Sequence, residues 1–88
     1  MSKPKTLSQL RKRIDGLDLQ VIRLLKRRAA LALQIGRLKR ERGLPIFDGV
    51  REEQILRKLT KTKCSPFSPA SARKVFKLIL DQSRKLQR

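Results

Sequence analysis

The chain has 88 residues, with 24 Lys and Arg against 7 Asp and Glu for a net charge of +17, one cysteine and no histidine. That length suits one domain with a modest core. A lone Cys64 makes no intrachain disulfide, and the lack of histidine removes the usual zinc sites and any Ser-His or Cys-His nucleophile.

The surplus charge attracts polyanions and small anions alike. With no Trp or Tyr, stacking surfaces for single-stranded nucleic acid are nearly absent. The opening MSKPKTLSQLRKR is basic and is followed by no apolar run, so it reads as neither a signal peptide nor a membrane span, and the cytoplasm is the default location.

Between Thr6 and Arg42 there is no proline, and apolar residues recur at alternating spacings of three and four: Leu7, Leu10, Ile14, Leu17, Val21, Leu24. The next position of the seam is occupied by Arg28, after which the series resumes at Leu31, Ile35 and Leu38. The spacing predicts a first helix over about 6–42, stopped by Gly43-Leu-Pro45 and roughly 55 Å long. Gly16 and Gly36 are its weak points, each costing about 1 kcal/mol against Ala. A compact chain of this size is only about 30 Å across. The helix would overhang it and carry an apolar stripe into water. A second copy of the chain is the simplest cover, which predicts an intertwined homodimer. The alternative is a kink at Gly36 that folds the helix back within one chain.

A second helix is predicted over about 49–61, with Asp48 as N-cap and Glu52 and Glu53 in or near its first turn. Asp48, Glu52, Ile55 and Leu59 share a face. The segment Cys64-Ser-Pro-Phe-Ser reads as a loop, with Cys64 an inert thiol within it. A third helix, about 69–86, opens with Ser68 as N-cap and Pro69 at its first position. Its inner stripe, Ala72, Val75, Phe76, Ile79 and Leu80, leads on to Ser83 and Gln87. No strand pattern appears. The class is all-α, a three-helix protomer forming a single domain over 1–88.

Polar groups sit where each helix should be apolar. Arg28, Ala32, Ile35 and Lys39 form one ridge of the first helix; Asp48 and Glu52 head the face of the second; Ser83 and Gln87 end that of the third. Burying a lone charge is expensive, and a buried pair often fails to offset its desolvation. Each residue has a plain reading by itself. Arg28 snorkels from the seam or pairs with Glu52, Lys39 lies on the solvated side with Arg37, Arg40 and Arg42, Asp48 is a cap, and Ser83 and Gln87 belong to a fraying end. Taken together, two cations, a carboxylate and an amide at corresponding heights of a three-helix core point to a pocket for an anion.

Three segments, LRKRIDGLD (10–18), LLKRRAALALQIGRLKRERGLPIFDGVREEQIL (24–56) and FKLILDQSRKLQ (76–87), together resemble the all-α class of chorismate mutase over about residues 7 to 87. The resemblance implies an intertwined homodimer with two active sites and the Claisen rearrangement of chorismate to prephenate. It makes Arg11 a clamp donated from the partner protomer and Arg28 the second carboxylate clamp. It sets Lys39 against a carboxylate and the ether oxygen, Asp48 (through its backbone) and Glu52 against the ring hydroxyl, Ser83 against a carboxylate and Gln87 against the ether oxygen. Arg51 becomes a supporting residue near Glu52, and Ile35 and Leu80 become apolar walls beside the ring. A unimolecular rearrangement calls for no metal and no cofactor.

Two other readings remain at this point. Isochorismate-pyruvate lyase shares the fold and a cationic pocket, although the Asp48–Glu52 pair in GLPIFDGVREE favours the mutase. A non-enzymatic basic helical dimer would bind nucleic acid tightly and leave Glu52 and Gln87 dispensable; on the mutase reading, nucleic acid is attracted only non-specifically, through net charge.

Overall fold

Three α-helices account for most of the chain. A computed structural model describes residues 6–88, in which α1 spans Leu7–Glu41, α2 Gly49–Lys61 and α3 Pro69–Gln87. No described residue lies in a strand, so the chain is all-α there. No described helix is long and apolar enough to cross a membrane. The chain divides into two compact units at the Ala30–Leu31 bond.

In the first unit, α1 opens with a reciprocal cap. The backbone N–H of Gln9 donates to Thr6 Oγ1 at 3.1 Å, and the backbone N–H of Thr6 donates to Gln9 Oε1 at 3.1 Å. Such a box satisfies two donors that a helix start otherwise leaves to water. The seam residues Leu7, Leu10, Ile14, Leu17, Val21 and Leu24 are all exposed, between 48% and 62%. An isolated helix gains little from such a stripe in water, since helical stability in proteins comes mainly from packing an apolar face.

In the second unit, the end of α1 joins α2 and α3. Asp48 caps α2, its Oδ1 accepting from the Arg51 N–H at 3.0 Å. Ser68 caps α3 by accepting from the Ser71 N–H at 3.1 Å, with Pro69 at the first helical position. Residues 62–68 form the connection, tightened by a bond from the Phe67 N–H to the Cys64 carbonyl at 2.8 Å. The two helices pack antiparallel, so Glu52 near the start of α2 meets Arg84 near the end of α3, while Glu53 reaches back to Arg73 near the start of α3. Ala32, Leu56 and Leu80 are the buried side chains, and Ile55, Leu59, Ala72, Phe76 and Ile79 flank them half-buried.

Two positions differ from the predicted stripes. Val75 is 51% exposed rather than inward. At about 100° per residue the stripe of α3 is centred on Phe76, Leu80 and Ser83, which leaves Val75 on its flank. The deepest residue of α2 is Leu56, absent from the predicted face; that face is centred between Ile55 and Leu56. Helix ends shift by about a residue, and α3 continues through Gln87.

Glu53 accepts from Arg73 Nη1 and Nη2 at 3.3 and 3.1 Å. The Glu53 carboxyl is held below its usual 4.5, first by those hydrogen bonds and then by the Arg73 charge. A lowered folded-state value means that the pair stabilises the fold above pH 4.5, and that this contribution is lost as pH falls through the lowered value. Both side chains are nearly half exposed, so the effect is small and sensitive to salt. In urea titrations, wild-type protein should exceed Glu53→Gln in midpoint near neutral pH, and the gap should close on acidification below pH 4.5. A gap that persists undiminished in acid would assign Glu53 a packing role instead.

Candidate active site

The C-terminus of α1 builds the site from its backbone outward. Gly43 takes a φ of +64°, a conformation that glycine reaches without a Cβ penalty. The turn it permits sends the Leu44 N–H back to the Lys39 carbonyl at 2.8 Å and the Gly43 N–H to the Arg40 carbonyl at 3.3 Å, the two bonds of a Schellman motif. Lys39 then grips the same loop with its side chain, Nζ donating to the Ile46 carbonyl at 2.7 Å. A second bond from Nζ, at 2.8 Å, reaches Gln87 Oε1 on the last turn of α3. An ammonium group only donates, so this contact assigns the Gln87 oxygen to Lys39 and leaves the Gln87 NH2 as a donor.

Gln87 is also held by its backbone. Arg40 Nη1 donates to the Gln87 carbonyl at 2.8 Å. Gly36 is buried directly against it: a Cβ at position 36 would lie 2.8 Å from Gln87 Cα and 3.0 Å from its carbonyl oxygen. The absence of a side chain at position 36 lets the end of α3 touch α1, and that approach is what brings Gln87 Oε1 within reach of Lys39.

The electrostatics differ between the two polar clusters. Lys39 donates to two neutral oxygens, and among the described residues no carboxylate pairs with it, so its charge stays uncompensated. An ammonium carries three N–H groups, and these two bonds use two of them. Glu52, by contrast, is already engaged. Arg84 Nε donates to Glu52 Oε2 at 3.1 Å, and Arg84 Nη2 donates to Glu52 Oε1 at 3.2 Å and to Asp81 Oδ1 at 2.6 Å. The guanidinium also lies 4.9 Å from the centre of the Phe47 ring. Arg84 is raised above its ordinary pKa, first by the hydrogen bond to Glu52, so it is a permanent cation. The loop between α1 and α2 joins the clusters, for Ile46 receives Lys39 and Phe47 carries Arg84.

Lys39 and Gln87 are in direct contact. Asp48 and Glu52 lie one turn apart at the start of α2, Asp48 acting as cap and its carbonyl accepting from the Glu52 N–H at 3.0 Å. Ser83 is half-buried, and its hydroxyl donates to the Ile79 carbonyl at 2.8 Å. Arg28 is half-buried and Arg11 exposed, both in the first unit. Ile35 is exposed at 46%, and Leu80 is buried. Arg51 is exposed, and its backbone N–H serves the Asp48 cap. Sequence reasoning passed over Gly36, Arg40 and Arg84. Arg84 carried a usable signal, since Phe76, Leu80 and Arg84 are spaced by four along the inner stripe.

A family model described as "Chorismate mutase type II" matches residues 10–88. Among solved structures, form II of the chorismate mutase from Thermus thermophilus is 40% identical at a TM-score of 0.91, covering 94% of each chain. The chorismate mutase of Helicobacter pylori, solved in complex with prephenate, is 32% identical at a TM-score of 0.84, covering 92% of this chain and 88% of that one. A chorismate mutase of Methanocaldococcus jannaschii is 29% identical over 83 residues, 93% of this chain and 84% of that one. The chain spans 17% and 15% of the length of two further curated relatives that it matches.

Replacing Gly36 tests the contact beneath Gln87. Ala is the better helix former by about 0.5–1 kcal/mol, but its methyl would overlap backbone atoms that no side-chain rotation moves away. Overpacking of that kind costs about 1–3 kcal/mol. Gly36→Ala should therefore lower unfolding stability and shift the amide resonances of Gln87. A variant of raised stability with Gln87 unmoved would mean that the end of α3 does not pack on α1.

Proposed function

We propose, since this chain belongs to the type II chorismate mutase family, that it rearranges chorismate to prephenate, with the three helices of 1–88 acting as one domain within an intertwined homodimer. The observation that carries the reading is the 2.8 Å contact between Lys39 and Gln87, two polar groups 48 residues apart in sequence and held side by side. The prephenate complex of the Helicobacter pylori relative supports the substrate class.

The reaction breaks one C–O bond as one C–C bond forms, within a single molecule. What the protein supplies is shape and charge. Arg11 of the partner subunit and Arg28 clamp the two carboxylates of the substrate, which arginine does with two parallel bonds where lysine has a point charge. Ser83 assists at a carboxylate. The Asp48 backbone and the Glu52 carboxylate hold the ring hydroxyl, and Ile35 and Leu80 flank the ring. Holding a flexible dianion in its reactive chair removes much of the entropic part of the barrier.

The ether oxygen gains negative charge as its bond to carbon lengthens. Lys39, with its third N–H and its uncompensated charge, and Gln87, with its NH2 group, are the donors aimed at that oxygen. Donors positioned before the charge develops favour the transition state over the bound substrate. The reaction runs in the cytoplasm, and the +17 surface speeds the approach of a dianion at low salt.

The exposed stripe of the first unit, Leu7 through Leu24, is the surface a second copy covers. Mixed dimers test both the assembly and the donated arginine. Arg11→Ala and Arg28→Ala should each be nearly inactive alone. Unfolded and refolded together, they should recover up to about a quarter of wild-type activity, because half of the dimers are mixed and each has one intact site. No recovery on mixing would place both arginines in one protomer's own site.

Incubating the purified protein with chorismate and following its ultraviolet absorbance tests the activity itself, with isochorismate in a parallel arm. Prephenate should form from the first and no pyruvate from the second. Lys39→Ala should lower kcat by about 100- to 1,000-fold while the far-ultraviolet circular dichroism is retained. A folded Lys39→Ala protein of near-wild-type rate would remove Lys39 from the mechanism.

A further inference from the structure

Arg84 touches three parts of the second unit at once. It bonds both oxygens of Glu52 on α2, it bonds Asp81 on its own helix, and its guanidinium stacks on Phe47 in the loop between α1 and α2. The Arg84 and Glu52 side chains are 26% and 22% exposed, so the pair is shielded without being sealed off. A guanidinium fork engaged on this many sides has little freedom left, and it fixes the plane of the carboxylate it holds.

Two consequences follow for Glu52. A carboxylate presents about four lone-pair positions. Arg84 takes one on each oxygen, which leaves one on each facing elsewhere. Glu52 thus keeps the capacity to accept an O–H, but only along directions that Arg84 has set. The local charge also has a sign: one guanidinium stands against two carboxylates, Glu52 and Asp81. An anionic group brought here meets no free cation from Arg84, whereas a neutral donor meets a fixed acceptor.

We propose that Arg84 is a positioning residue that determines specificity: by holding Glu52 it makes this part of the site a receptor for a neutral hydroxyl donor and a poor one for an anionic substituent. The proposal rests on the reading of Glu52 as the acceptor of the substrate's ring hydroxyl. Lys39 and Arg84, both cations on inner faces, then have opposite tasks. Lys39 offers its charge to the ligand, and Arg84 gives its charge to the protein.

The test compares chorismate with its analogue lacking the ring hydroxyl, in wild type, Glu52→Gln, Arg84→Met and Arg84→Lys. Hydrogen bonds to charged groups are worth on the order of tenfold or more in affinity. Arg84→Met should raise the KM for chorismate about tenfold more than the KM for the analogue, and should do so with a smaller change in kcat. Arg84→Lys, which keeps the charge but not the two parallel bonds, should give a smaller penalty of the same kind, and it carries the test if the Met variant fails to fold. An Arg84 variant that weakens both substrates equally would make the residue merely structural and overturn the proposal. A Glu52→Gln penalty on chorismate without an Arg84 penalty overturns the proposal alone. Wild-type protein that leaves chorismate unchanged overturns the underlying reading and the proposal with it.

Discussion

The ammonium group of Lys39 is the pin on which the second unit is arranged. It holds the Ile46 carbonyl of the loop at 2.7 Å and the Gln87 side chain of α3 at 2.8 Å, while its own carbonyl closes the turn at Gly43. The helix-ending turn, the loop seven residues on and the end of α3, 48 residues away, are thereby referred to one residue. A half-buried cation satisfied by neutral oxygens keeps its electrostatic reach, because each such bond takes up a proton without cancelling the charge. On the proposed function this residual charge is the resource that the ether oxygen draws on.

Around that pin the polar groups divide their labour. Glu53 and Arg73, nearly half exposed, form an ordinary surface pair. Glu52, Arg84 and Asp81 form a tighter cluster in which the guanidinium is shared by two carboxylates and Glu52 keeps one acceptor position on each oxygen. Lys39 and Gln87 stay only partly satisfied by the protein. A chain with 24 basic side chains therefore does not present them uniformly. Arg40 and Arg73 steady the fold, Arg84 shapes an acceptor, and on the proposed function Arg11, Arg28 and Lys39 meet a ligand directly.

Much of this was legible in the sequence where the cause is local. The caps at Asp48 and Ser68, Pro69 at a helix start and Gly43-Leu-Pro45 at a helix end are short-range signals with a physical mechanism, and they mark observed helix ends. The Thr6–Gln9 box was equally legible as T-x-x-Q and was passed over. Lys39 and Gln87 could be placed on inner stripes by spacing, but their contact depends on how closely two helices approach. That distance is set by Gly36, and a glycine within a helix reads in isolation as a weakness rather than as a contact surface. Arg84 was hidden for a different reason. The stripe through Leu80 forks at spacings of three and four, to Ser83 and to Arg84, and polarity alone does not say which branch matters.

The loop between α1 and α2 also sets where this polypeptide can change length. Residues 44–48 must deliver a carbonyl to Lys39, a ring to Arg84 and a cap to α2 within five positions. An inserted residue there would put at least one of the three out of register. The connection at 62–68 contributes no described contact to Lys39 or to Arg84. Insertions, grafted peptides and natural length variation are therefore at home in the second loop, while the first behaves as a fixed-gauge spacer.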